Sequence, residues 1–122
     1  MPNLNAILSS GTPIDEAHRA ALAWRRISEK PTSITIKRGA VTLDAQTMRV
    51  ELSETSTTQR GNAGSGTMRD VVLFGVRNHP DALIEDTDVQ AKDRFVLNNV
   101  EYQIMDVVLT LGEVQARCEA VS

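Results

Sequence analysis

Residues 93–104 read Asp93-Arg94-Phe95-Val96-Leu97-Asn98-Asn99-Val100-Glu101-Tyr102-Gln103-Ile104. Two β-prone runs, Arg94 to Leu97 and Val100 to Ile104, flank an Asn-Asn pair. Asparagine tolerates the positive φ angles that a two-residue hairpin turn demands, so this stretch predicts a tight β-hairpin. Working outward, Tyr102 and Ile104 share a face that Asp106 would join, while Met105, Val107 and Leu109 take the other. A buried carboxylate in an apolar row is costly, so the pattern predicts a β-bulge near Met105. From Gly112 onward, Val114, Ala116, Cys118 and Ala120 point one way and Glu113, Gln115, Arg117 and Glu119 the other, as in a half-buried strand. Bulged, bent strands favour a barrel over a flat sheet.

Upstream, Val71 to Val76 (VVLFGV) is apolar on both faces and predicts a strand inside the sheet, covered on each side. Met48, Val50 and Leu52 alternate with polar neighbours, and so do Ile34 and Ile36. With a Gly39 turn leading to Val41 and Leu43, residues 34–43 predict another hairpin. Val41 and Leu43 have the opposite parity to Met48, Val50 and Leu52, which requires a turn or bulge near Asp44 to Gln46. Arg77 to Asp81 carries a turn signal, and residues 82–91 fit neither period.

The N-terminal part has the helical period. Thr12-Pro13-Ile14-Asp15 supplies a hydroxyl N-cap, a proline at the first helical position and an early carboxylate. Ile14, Ala17, Ala21, Trp24 and Ile27 then recur at spacings of three and four, with Glu16, Arg19, Arg26 and Lys30 facing mainly elsewhere, until Pro31 ends the run. Residues 1–11 have no clear period and read as a flexible arm. The expected organisation is therefore an arm (1–11), a helix (12–31) and a β domain (32–122) of about six strands. The fold class is mainly β (α+β): a small SH3-like antiparallel β-barrel with an N-terminal α-helix and a long polar inter-strand loop.

That loop, residues 53–68 (SETSTTQRGNAGSGTM), holds three of the seven glycines and no aliphatic side chain larger than alanine before Met68. It cannot pack a core, and connections this long in small domains are commonly functional or unstructured.

Composition narrows the chemistry. The 122 residues fit one domain, and sixteen acidic against thirteen basic side chains give a net charge of −3, the wrong sign for tight nucleic-acid binding. A single cysteine excludes an internal disulfide and, with two histidines, an all-protein Cys/His zinc site. No apolar run is long enough to span a membrane as a helix, and the N-terminus lacks a basic-then-apolar leader pattern. His79 near Asp81, Asp86 and Asp88 reads as a solvated turn, His18 as a helix-flank residue, and Cys118 as a small buried hydrophobe. RGNAGSG lacks the Gly-Lys-Ser/Thr ending of a phosphate-binding loop, and no serine sits in a nucleophile elbow. No catalytic residue, cofactor or metal is expected, and the protein is read as no enzyme. Residues 1–60 carry eight basic and six acidic groups, whereas 61–122 carry five and ten. Such an asymmetry suits head-to-tail stacking of rings, or a passage that must not hold DNA.

The N-terminal helix, the long Gly/Ser/Thr loop and the closing hairpin Asp93 to Ile104, followed by Gly112-Glu113-Val114-Gln115-Ala116, resemble a viral family. Over roughly residues 33–120 the chain looks like the head-tail joining (head-completion, or stopper) proteins of long-tailed double-stranded DNA bacteriophages. The resemblance implies a virion protein of the neck, made in the host cytoplasm. It implies a homo-oligomeric ring, with a portal or adaptor ring on one side and tail proteins on the other, closing the DNA exit channel. The gating loop would comprise Thr55, Thr57, Thr58, Gln59, Arg60, Gly61, Asn62, Gly64, Ser65 and Gly66. If the helix projects from the barrel, Ile14, Ala21, Trp24 and Ile27 become an inter-subunit face; otherwise Trp24 docks the helix on the barrel. The marked N-terminal helix departs from the stopper pattern and leaves open an adaptor or tail-terminator position. A different class, a small β-barrel adaptor module binding a peptide at a sheet edge, fits the same strands.

Overall fold

The computed structural model describes residues 14–53 and 70–121. One helix, α1 (Ile14–Glu29), precedes eight strands: β1 (Thr32–Ile34), β2 (Lys37–Arg38), β3 (Val41–Thr42), β4 (Gln46–Ser53), β5 (Asp70–Val76), β6 (Arg94–Leu97), β7 (Val100–Thr110) and β8 (Glu113–Ala120). All pairings are antiparallel, in the order β1-β4-β5-β8-β7-β6-β2-β3, and the sheet curls into a half-barrel whose β1 comes against β6.

The decisive hairpin forms as its turn chemistry requires. Leu97 pairs with Val100, and Asn98 and Asn99 take φ values of 52° and 67°, the left-handed pair of a type I′ turn. Phe95 and Tyr102 are cross-strand partners with rings stacked at 5.4 Å inside the curve. The bulge falls at the expected place. Ile104 pairs with Cys118, but Asp106 pairs with Arg117, so Met105 is the extra residue. The slip turns Asp106 outward to meet Arg117 and lets Val107 rejoin the inner row.

Inside the curve lies the main core: Ile34, Ile36, Met48, Val71, Leu73, Phe95, Tyr102, Ile104, Ala116 and Cys118. β5 explains its two apolar faces. Val71 and Leu73 point into this core, whereas Val76 packs under Ala20, Ala23 and Ile27 of α1, and Phe74 lies beneath the Arg26 guanidinium at 5.7 Å. The helix therefore sits on the outer surface of the sheet, across β4, β5 and β8. At its start Glu16 is buried, and its Oε2 accepts from the Gly112 N–H (3.3 Å) and from Asn78 Nδ2 (3.0 Å). Gly112 adopts φ +72°, and a Cβ there would collide with the Ala20 backbone. The helix can approach the β7–β8 turn this closely only because the turn residue has no side chain.

Several expectations need correction. The buried line of α1 is Glu16, Ala20, Ala23 and Ile27, with Ala17 and Trp24 half-buried; Ala21 is exposed. Alanines sit on both faces and carry little periodic signal, so the weight of Trp24 shifts the apparent stripe by about one position. Glu16 faces inward because the backbone donor of Gly112 and the amide of Asn78 satisfy its carboxylate. Eight strands form rather than about six, since the run from Thr32 to Arg38 divides: Thr32 to Ile34 pairs with β4, while Lys37 and Arg38 pair with β3 and β6. The β2–β3 hairpin does turn at Gly39, with φ +63°.

Candidate functional site

The ten loop residues expected to gate a channel, Thr55 through Gly66, lie outside the described residues. Of the expected helix face, Ile14 opens α1, Ala21 is exposed, Trp24 is half-buried and packs, as Ile84 does, against the cluster of Ala20, Ala23, Ile27 and Val76, and Ile27 is fully buried against the sheet. Ile27 and Trp24 thus dock the helix onto its own β domain, and they do not form a common projecting face with Ala21.

Of the titratable residues, His79 and Asp86 tie together the turn that follows β5. His79 accepts from the Asp81 N–H at Nδ1 (2.9 Å), and Asp86 accepts from the Asn78 N–H (2.7 Å). His18 is exposed on the helix. Cys118 is fully buried among Val71, Ile104 and other core side chains, and burial pushes its thiol up to about 12, far from a reactive thiolate. Among the described residues no group of three or more His, Cys, Asp or Glu is arranged to hold a metal.

The strongest polar constellation went unread in the sequence. Arg38 donates from Nε to Asp93 Oδ1 (3.0 Å), and its terminal nitrogen donates to Asp93 Oδ2 and to Asp88 Oδ1 (both 2.9 Å). The Gln90 N–H also donates to Asp93 Oδ2 (2.8 Å). Asp93 is only 2% exposed, yet each of its oxygens is bonded, which makes its burial tolerable. Hydrogen bonds to Asp93 first, and to Asp88 next, hold the Arg38 guanidinium above its ordinary value. This is a clasp between the β2–β3 hairpin and the start of β6, with no free acid or base. Nothing local in residues 37–38 or 88–93 marks it, since it depends on β2 pairing with β6.

Two surface features remain. A cleft of about 520 Å³ opens between α1, the β3–β4 connection and residues 83–88. Thr87 exchanges hydrogen bonds with Val76, and Asp88 with the Gln46 side chain, so residues 86–88 wedge between the end of β5 and the start of β4. Trp24 and Val76 line the cleft with Asp44, Glu85, Asp86 and Asp88, and no basic side chain lines it.

The second feature is apolar. β6 pairs with β7 only as far as Gln103, so beyond the bulge Asp106 to Thr110 pair on one side, with β8, and on the other side meet no strand among the described residues. This open edge and its turn expose Val108 (55%), Leu109 (56%) and Leu111 (47%), with Met105 partly exposed beside them. An exposed apolar strand edge with unpaired backbone groups is a template for contact with another chain.

No protein-family model, curated protein or solved structure matches the chain.

Proposed function

We propose that the chain is a structural subunit of the head-tail connector of a long-tailed double-stranded DNA bacteriophage. It forms a ring in the neck of the virion that joins the portal or its adaptor to the tail and gates the DNA exit channel. The observation that carries this reading is the open β7 edge with Val108, Leu109 and Leu111, a surface that another protein of an assembly would cover. We read the half-barrel with its outer helix as the small SH3-like barrel expected from the bulged strands. The chemistry agrees: a DNA passage has to stop the duplex without holding it, and a lysine- or arginine-rich wall would bind phosphate strongly. A chain of net charge −3, with only Glu54 and Arg60 charged between residues 53 and 68, suits steric closure.

Electron microscopy of lysates tests this reading, using a phage whose copy of this reading frame carries an early stop codon, with and without added protein. Heads that package DNA and leak it beside free tails, repaired by the added protein, support it. Tails of abnormal length would move the protein to a tail-terminator position, and normal infectious particles would remove it from the neck. The same open edge favours one reading outside the virion, an adaptor module that takes a peptide as an added strand. That reading predicts a stable monomer with no effect on particles.

A further inference from the structure

We infer that the outer face of α1 in one copy seats in the acidic cleft of a second copy, so that self-association runs head to tail. This rests on the ring reading above and names its lateral contact.

The cleft asks for a cation. Of its four carboxylates, Asp88 is bound to Arg38 and Asp86 to the Asn78 N–H, while Asp44 and Glu85 are exposed and have no partner among the described residues. Leu83, 90% exposed, stands at the lip, and Trp24 supplies an aromatic wall. A site of this kind suits a guanidinium, which can lie against an indole while pairing with carboxylates, next to an aliphatic side chain for Leu83.

The helix carries that pair. Leu22 and Arg25 are three apart in α1 and share one face, and both are exposed. Arg19 and Arg26 are engaged by Asp15 and Glu113, but Arg25 makes no ion pair among the described residues. Each residue advances about 100° around the helix, so Leu22 and Arg25 turn away from the Trp24 side that lines the cleft. Donor face and acceptor cleft are thus different surfaces of one molecule. Such a contact is heterologous, and it closes into a ring or continues as a filament, whereas a two-fold dimer would use one surface twice. Glu29, one turn beyond Arg25, is held by Arg49 at 3.5 Å, which leaves the unpaired Arg25 to meet the free Asp44 and Glu85 carboxylates and set the order of the copies.

Sedimentation equilibrium of the full chain tests this, at concentrations up to about 1 mM and in low salt against about 0.5 M salt. Three variants are compared with the parent: R25E, the pair D44K/E85K, and all three changes together. All sites are exposed, and unchanged melting temperatures verify that each variant is folded. The expected result is association of the parent that weakens in salt, a loss of at least about tenfold in either reversal, and recovery to within about threefold when they are combined. Association that ignores both reversals, or a parent that stays monomeric throughout, overturns the inference. The two proposals fail separately. Charge-swap behaviour as expected, in a phage whose particles do not need the protein, would remove the neck role and leave the contact standing; leaking heads with no charge-swap effect would do the reverse.

Discussion

Arg38 grips both carboxylate oxygens of Asp93 across fifty-five residues of chain, at 3.0 and 2.9 Å, and so ties the β2–β3 hairpin to the first residue of the β6 strand's approach. The pair is two-pronged and one member is fully enclosed, which separates it from the exposed ion pairs elsewhere on the surface. Replacing Asp93 by alanine leaves the guanidinium with Asp88 alone and the Gln90 N–H without its acceptor. The expected cost is about 2–3 kcal/mol, below the range for a fully buried pair because Arg38 keeps some solvent contact. Urea denaturation of D93A and of R38K measures it, and R38K should lose part of the stability because an ammonium lacks the planar fork that meets the Asp93 carboxylate two-pronged. A cost near zero for D93A would show that the clasp holds nothing.

Gly112 and Gly39 both have positive φ, +72° and +63°, but only Gly112 lies against the helix. Gly39→Ala should therefore cost about 1 kcal/mol, the backbone penalty alone. Gly112→Ala should cost at least about 3 kcal/mol, since the added methyl meets the Ala20 backbone and has to lift α1 off the sheet. Thermal melts of the two variants compare these directly, and equal losses would contradict the described seating of the helix.

Cys118 should be silent toward thiol reagents in the folded protein and react fully in denaturant. Burial raises its folded-state thiol from about 9 to about 12. In the pH window between those values the unfolded chain releases the proton and the folded chain retains it. Stability should then fall as pH rises, by about 1.4 kcal/mol per unit from this group alone. Denaturation at pH 8, 9.5 and 11 reads the slope, and a Cys118→Ala variant should show a shallower one. Identical slopes would mean that the thiol does not titrate as its burial implies.

The Asn98-Asn99 turn offers a gain. Asn99→Gly removes the Cβ at a position with φ +67° and should stabilise the hairpin by up to about 1 kcal/mol. An unchanged or lowered melting midpoint would count against the type I′ geometry.

These residues also show where sequence is readable. The hairpin at Asn98-Asn99, the bulge at Met105, the alternation of Val114, Ala116 and Cys118, and the inward burial of Cys118 are local or period-two features, and the backbone follows them. Nothing local marks the inward turn of Glu16, because its two donors, Asn78 and Gly112, lie sixty-two and ninety-six residues away. The Arg38–Asp93 clasp is hidden for the same reason. The cleft draws on four separated segments, so no single run of residues announces it. The one available signal was unequal charge between the two halves of the chain, which marks that acidic groups gather somewhere without saying where. The exposure of Val108, Leu109 and Leu111 has no local signature, because an apolar strand reads the same whether its own core or another protein covers it.

That open edge carries the proposed role, and complementation tests it most directly. A phage with a stop codon in this reading frame is supplied with the parent protein or with V108K/L109K, whose folding is verified by its melting temperature. Both sites are exposed, so the isolated chain should stay within about 0.5 kcal/mol of the parent. The account predicts that the parent restores full, tailed, DNA-retaining particles in the electron microscope and that the folded variant leaves leaking heads beside free tails. Full restoration by the variant would contradict it.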